Sequence, residues 1–484
     1  MNTAHLTLLT DLYELTMMQG YFKNQNRERV IFDVFYRTNP DGAAFSVTAG
    51  LEQVIDYIKN LHFTSEDIEY LRSTGFFHED FLDYLKSFRF TGDIYAIPEG
   101  TVVFPQEPLL KVVAPIIEAQ LIETAILNII NHQSLICTKA ARVVYAAGGG
   151  VMEFGLRRAQ GPDAGTYGAR AAVIGGCVGT SNVLAGQLFN VPVTGTHAHS
   201  WIMSFHHEID AFRKYAELYP NACLLLVDTY DTLKSGIPHA IQVFDELKAK
   251  GIHPKMYGIR LDSGDLAYLS KKARKMLDDA GYTDAVISAS SDLDEYLIES
   301  LRSQGAQITS WGVGTNLITS KNCPAFGGVY KLAAKENEKG EFEPKIKVSE
   351  NIEKVTNPGN KTVFRLYDKT TGKIRADLIA LADEVYDPSQ PLMIFDPIST
   401  WKKTYLKPDT YTVRELLVPV FKNGECVYTS PAVMDIRDYC AQELNTLWDE
   451  SRRFVNPQVV YVDLSKPLWD LKNKLLDAVH NHKD

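Results

Sequence analysis

Between Val191 and Glu208 the sequence reads VPVTGTHAHSWIMSFHHE, and four of the chain's twelve histidines fall inside it. His197 and His199 alternate directly after an apolar, strand-like start. From that position an imidazole can ligate a metal ion or act as nucleophile or acid/base. A metal pair would need further ligands at later strand ends. His239 sits in a helical start after Gly-Ile-Pro and His253 lies just before Pro254, so neither ends a strand and the ligand set is incomplete. A metal-dependent barrel hydrolase built on His197 and His199 is therefore the weaker reading, and a single working histidine the stronger.

Four other stretches carry comparable chemistry. EFGLRRAQGPDAG (153–165) sets Arg157 and Arg158 beside Gly/Pro-rich backbone, and arginine forks match phosphate bidentately. IRLDSGD (259–265) sends Arg260 and Asp262 to one side of a strand, where a cation and a carboxylate can hold a ligand carboxylate, a ribose or a metal ion. Asp265, at the start of the helical LAYLSKKARKML, reads equally as a helix N-terminal charge. WGVGTNLITS (311–320) exposes backbone N–H groups at Gly314 and Thr315, a phosphate-binding arrangement. VDTYDT offers Asp228 and Asp231, three apart, which could bind Mg²⁺ through carboxylate and water; Mg²⁺ is possible near Asp262 as well, and helix capping by Asp231 or Thr232 is the competing account.

These stretches share a context. GVMEFG, VPVTGTHAHS, CLLLVDTYDT, MYGIRLDSGD, AVISASSD and ITSWGVGT are apolar, strand-like and polar-ended, and helical segments follow them. Wholly apolar strands alternating with helices imply a parallel sheet, and functional groups after every strand imply a β/α barrel with its chemistry at the C-terminal face. The predicted fold is α/β: an irregular, TIM-like β/α barrel with an N-terminal α+β domain and a C-terminal β-hairpin and helix region. The predicted divisions are 1–135, 136–330 (carrying the site) and 331–484. Within the first, VIFDVFYRT reads as a strand, GLEQVIDYIKNL as a helix, residues 93–115 as a small β unit and residues 116–133 as a helix buried on much of its circumference. In the last, GGVYKLAAKENEKGEFEPKIKVSE, KTVFRLYDKTTGKIRADLIAL and the Asn-Gly-bearing LLVPVFKNGECVYT read as hairpins, and two helical stretches follow.

Composition narrows the class. At 45% apolar and 23% charged residues the chain can bury a sizeable core. A net charge of −10 argues against nucleic acid or an anionic membrane as main partner, although a local arginine cluster can still bind anions. Six cysteines with no CxxC pair suit reduced thiols, and hence a cytoplasmic setting. The first stretch, MNTAHLTLLTDLYELTMMQGYF, lacks the pattern of a signal peptide, and no uncharged apolar run is long enough to span a bilayer.

Taken together, LLTDLYELTM, EFGLRRAQGPD, GTHAHS, IRLDSGDL and GVGTNLITS…FGGVYKL, in this order over residues 6 to 332, resemble the nicotinate phosphoribosyltransferases, of the type II phosphoribosyltransferases. The resemblance implies synthesis of nicotinate mononucleotide and pyrophosphate from nicotinate and phosphoribosyl pyrophosphate in NAD salvage, coupled to ATP hydrolysis. It implies a phosphorylated histidine at the last position of Gly-Thr-X-Ala-His, here His199, with His197 at a variable position. It further implies nicotinate contacts from Tyr13, Phe154, Thr196 and Arg260, and phosphoribosyl pyrophosphate contacts from Arg157, Gly314 and Thr315. Asp262 would stabilise the oxocarbenium-like state or hold Mg²⁺. ATP and Mg²⁺ are the implied co-substrate and cofactor, and a homodimer sharing its sites through the N-terminal tyrosine is the implied assembly. Nicotinamide phosphoribosyltransferase, with the same fold and phosphate chemistry, is the alternative.

Overall fold

The computed structural model describes residues 5–351 and 354–481. Two compact units emerge: Met1–Leu135 with Ala325–Pro431 and Tyr439–Asp484, and Ile136–Pro324 with Ala432–Asp438.

In the second unit the short apolar runs form a six-stranded sheet whose neighbours all pair in parallel. Its order is Gly179–Thr180, Val151–Glu153, Ser310–Val313, Val286–Ser291, Met256–Leu261, Ala222–Leu226. Val151–Glu153, first in the chain, pairs with both the second strand and the last. That is the cyclic order of a β/α barrel opened at one seam, a TIM-like half-barrel. Helices follow the strands and bury one stripe each. In Leu266–Asp279 the inward set is Leu266, Ala267, Ser270, Ala273 and Leu277, at helical spacing.

The seam falls where VPVTG was expected to form a strand. Only Val193 makes a bridge, to Thr180, and Gly179–Thr180 takes the ladder position instead. Pro192 explains the loss: without an N–H it can only accept, and its carbonyl receives the Thr180 N–H at 3.0 Å. His199 accordingly does not end a strand; it opens the short helix His199–Met203.

The first unit is assembled from distant parts of the chain. Its seven-stranded sheet runs Phe342–Pro344, Gly328–Glu336, Arg29–Tyr36, Leu110–Pro115, Asp93–Ala96, Val418–Lys422, Glu425–Cys426. Arg29–Tyr36 is an interior strand, with seven of its eight residues buried, and it pairs antiparallel on both sides. Leu51–Lys59, Ser65–Ser73 and Glu79–Lys86 cover the sheet with Val54, Ile55, Ile58, Ile68, Leu71, Phe81, Leu82 and Leu85 in one core. The expected hairpins form at Gly328–Glu336/Phe342–Pro344, Lys361–Asp368/Ile374–Leu381 and Val418–Lys422/Glu425–Cys426. At the last turn Asn423 and Gly424 both take positive φ, as a two-residue hairpin requires.

The helix expected over 116–133 instead breaks at Ile122, giving Ile116–Leu121 and a 25-residue helix Glu123–Ala147. Its later turns carry Lys139 and Arg142, both buried against Glu295 at 2.7 and 2.9 Å. Burial alone would push Glu295 up; the two cations hold it below the usual carboxylate range. In the first unit Arg365 is fully buried between Asp377 (2.6 Å) and Glu443 (3.1 Å). Among the described residues no helix is long and apolar enough to cross a membrane.

Candidate active site

The site grows from strand ends of the second unit. Arg260, on Met256–Leu261, aims its guanidinium along the sheet and spends three N–H groups at once. Nε donates to Ser290 Oγ at 2.7 Å, one terminal nitrogen to Thr196 Oγ1 at 2.8 Å, and the other to Asp262 Oδ1 at 2.9 Å. The Ser290 hydroxyl donates in turn to the same Asp262 oxygen. Four residues from three chain segments are thereby locked into one network. Burial alone would raise the Asp262 pKa; the Ser290 hydroxyl and the Arg260 charge outweigh it and hold the carboxyl below its usual range.

Asp262 turns its second oxygen to His199, whose Nε2 stands 3.6 Å away. The other ring nitrogen, Nδ1, is 3.0 Å from the Thr229 hydroxyl, so the imidazole is oriented from both edges. Asp228 lies beneath. Its Oδ2 accepts the Asp262 N–H and the Ser263 hydroxyl, both at 2.8 Å, pinning the strand-to-loop turn. Its Oδ1 is buried without a hydrogen-bond partner among the described residues, 4.0 Å from His199 Nε2. A buried carboxylate oxygen left open beside a second carboxylate is a suitable pair of donors for Mg²⁺, which binds through one or two carboxylates together with substrate phosphates.

Phe154 supplies the apolar wall. Its ring centroid is 5.9 Å from the Arg260 guanidinium carbon, within cation–π range. Two features hold it there. The Phe154 N–H donates to Val313 O at 2.8 Å. Gly312, on the neighbouring strand, leaves room for the ring: a Cβ there would come within 2.6 Å of it. Just before it, Glu153 is buried and accepts the Thr180 hydroxyl at 2.6 Å and the Gly155 N–H, tying two strand ends together; burial keeps its pKa raised.

Of the residues anticipated from sequence, Thr196, His199, Arg260, Asp262 and Phe154 are thus brought together, with Asp228 behind them. Gly314 and Thr315 follow directly on Ser310–Val313, with the Cβ position of Gly314 only 3.2 Å from the Phe154 carbonyl oxygen. Arg157 lies in the exposed turn Leu156–Arg158 and makes no hydrogen bond or ion pair with that set. Tyr13 belongs to the first unit, on the helix Leu12–Lys23, with its side chain half exposed and its phenol pushed up by partial burial and by Glu123.

Asp231 and Asp265 are caps. Asp231 accepts the Leu233 and Lys234 N–H groups, and Asp265 the Tyr268 N–H. His197 is not a surface bystander. It is buried edge-on against Tyr215, and its Nε2 accepts the Leu226 N–H at 3.3 Å across the seam where no strand ladder forms. Burial lowers its pKa to about 4, so it is neutral at pH 7. Its two neighbours in space differ from those of His199. Among the described residues no group of three or more His, Cys, Asp or Glu is placed to hold a metal ion, which leaves the two-histidine hydrolase without a ligand set.

Sequence reasoning did not single out Thr229, Ser290 or Glu153 for these roles. Each lies at or just past the end of an apolar strand, the same signal that found Arg260 and Asp262, but polar residues at strand ends are too common for type alone to mark them.

Comparison with known proteins covers nearly the whole chain. The model of the nicotinate phosphoribosyltransferase (NAPRTase) N-terminal domain matches residues 8–131, that of the NAPRTase family residues 150–366, and that of the C-terminal domain residues 360–472. The nicotinate phosphoribosyltransferase of Bacillus subtilis is 47% identical, covering 98% of this chain and 96% of that one. The human protein of the same name is 32% identical over 97% of this chain and 96% of its own. The crystal structure of human nicotinic acid phosphoribosyltransferase superposes with a TM-score of 0.84 at 30% identity, covering 96% of this chain and 99% of that one. The chain belongs to the nicotinate phosphoribosyltransferase family.

Proposed function

We propose that this protein joins nicotinate to phosphoribosyl pyrophosphate, giving nicotinate mononucleotide and pyrophosphate, and couples the step to ATP hydrolysis through a phosphohistidine at His199. The observation that carries the reading is the network Thr196–Arg260–Ser290–Asp262, with His199 on one side and Phe154 on the other. A guanidinium has five N–H groups, and Arg260 commits three to the protein, so two remain for a substrate carboxylate. Phe154 offers its face to the pyridine ring, and the Tyr13 of a second copy is assigned the opposite face, which makes the working form a homodimer. The ring nitrogen attacks the anomeric carbon; the carbon–oxygen bond breaks and its electron pair leaves with pyrophosphate. The Asp262 carboxylate, held ionised by Arg260 and Ser290, faces the charge that develops. Arg157 and the backbone at Gly314 and Thr315 are assigned to the phosphates.

His199 has the open setting that a phosphoryl acceptor needs, with a side chain 39% exposed and fixed by Thr229. Its nitrogen attacks the γ-phosphorus of ATP, ADP departs, and water later cleaves the phosphorus–nitrogen bond to release inorganic phosphate. The carboxylates of Asp228 and Asp262 would hold Mg²⁺, which would offset phosphate charge. The acid substrate is taken over nicotinamide because the chain's relatives carry the nicotinate name, and the N–H groups that Arg260 keeps free suit a carboxylate.

Product analysis with nicotinate and nicotinamide in parallel, with and without ATP, tests the reading. Nicotinate mononucleotide should form and be stimulated by ATP, and acid-labile phosphate should appear on the protein. His199→Ala should remove both the label and the stimulation; undiminished coupling in that variant would sink the assignment.

A further inference from the structure

The first unit contains a cavity of about 570 Å³ that shares no residue with the candidate active site. Its volume lies within the range of small-molecule sites, roughly 300–1,000 Å³. One wall is apolar and built on regular elements: Ile379, Val462 and Leu464 from adjacent paired strands, and Trp469 and Leu476 from the helix Lys466–Asn481. The Trp469 ring is held by its N–H to the Pro397 carbonyl at 3.2 Å and by an edge contact with Phe395. The wall is therefore preformed.

The polar groups on the lining do not balance. Lys472 reaches in from the same helix and has Asn357 Oδ1 as its hydrogen-bond partner, at 2.9 Å. Burial, with Lys361 nearby, lowers that amine to about 8, the mark of a cation short of counter-charge. Arg37 lines the same space, and its Nε is buried with no hydrogen-bond partner among the described residues. Among the described residues the one carboxylate on the lining, Asp396, already accepts the backbone N–H groups of Ile398 and Ser399 at 2.9 and 2.6 Å. Two cations, one of them with an unsatisfied donor, thus face an aromatic and aliphatic wall.

We propose that this cavity binds a small organic anion, one carboxylate, sulfonate or phosphate carried on an apolar body, with the charge at Arg37 and Lys472 and the body against Trp469. The site is separate from the catalytic reading and stands whether or not that reading holds.

Anilinonaphthalene sulfonate, an apolar ring system with a single anionic group, is the probe. Titrated into the full-length protein it should bind saturably at one site per chain and quench Trp emission by energy transfer. Ile398→Glu changes a rim residue that is 68% exposed, so the fold should be unaffected while an acidic mouth repels the probe. It should weaken binding about tenfold, as should Lys472→Met, while Lys472→Arg retains it. His199→Ala should bind as the parent protein does. Displacement by octanoate assigns the natural ligand to carboxylates, and displacement by phenyl phosphate assigns it to phosphates. Displacement by neither, equal binding of the uncharged anilinonaphthalene, unchanged binding in both Ile398→Glu and Lys472→Met, or displacement by phosphoribosyl pyrophosphate would each overturn the proposal.

Discussion

Ser290 links the two charged residues of the proposed site, and its removal is a clean probe of it. In Ser290→Ala, Arg260 loses an acceptor and Asp262 a donor, at about 1.5–3 kcal/mol for a bond to a charged group. Steady-state kinetics should therefore show kcat/KM for nicotinate falling about tenfold or more, with the thermal midpoint little changed. His197 predicts the opposite division. Replacing it with Met strands the buried Leu226 N–H, so stability should fall by about 1–3 kcal/mol in denaturant melts while ATP-coupled turnover per folded molecule is retained. Its pH signature follows from a pKa depressed from 6.5 to about 4. The unfolded chain takes up the proton first, so this contribution is present above pH 6.5 and is lost as pH falls toward 4. The histidine pair also shows the limit of reading residues alone. Spacing marked both as candidates and ligand counting removed the metal, but only coordinates distinguish a ring that faces Asp262 from one that plugs a seam.

At the scale of elements, the alternation of apolar strands with helices was legible because burial on both faces leaves a continuous apolar run, and five of six expected strands form. The sixth failed at Pro192, where one missing N–H outweighs a favourable β composition. The hairpins were equally legible from turn chemistry. Those joining Leu392–Phe395 to Lys403–Leu406 carry no two-residue turn signal and escaped notice. The helix Leu12–Lys23 offers a testable consequence of packing. Glu14 is buried in it, and burial, outweighing hydroxyl and N–H donors from Thr10 and Thr124, raises its pKa to about 7. A carboxyl raised in the folded state favours folding below its unfolded pKa, and the advantage is lost as pH rises through 7. Glu14→Gln should thus gain thermal stability relative to the parent protein at pH 8, the gap closing or reversing near pH 4.

At the scale of the molecule, the homodimer assignment gives the most direct test. If Tyr13 works on the site of a second copy, inactive Tyr13→Ala and His199→Ala proteins, each with all its sites defective, should regain activity when mixed and allowed to exchange. Random assortment would restore up to about a quarter of the sites; no recovery would remove the shared-site reading. The buried ion cluster of the first unit makes a second prediction. Arg365→Met would leave Asp377 and Glu443 without their fully buried partner, costing about 3–5 kcal/mol, so soluble expression and the denaturation midpoint should both collapse. The same unit has a history imposed by its connectivity. Its interior strand Arg29–Tyr36 finds one neighbour early, in Leu110–Pro115, but the other is Gly328–Glu336. Some 300 residues must be translated between them, about 15–60 seconds at ordinary ribosomal rates. Throughout that interval a strand destined for the middle of a sheet presents an open apolar edge, while every residue of the parallel sheet emerges and can pair. Synthesis therefore completes the half-barrel before the sheet that was begun first, and truncated nascent chains ending before Gly328 should be the species that chaperones hold.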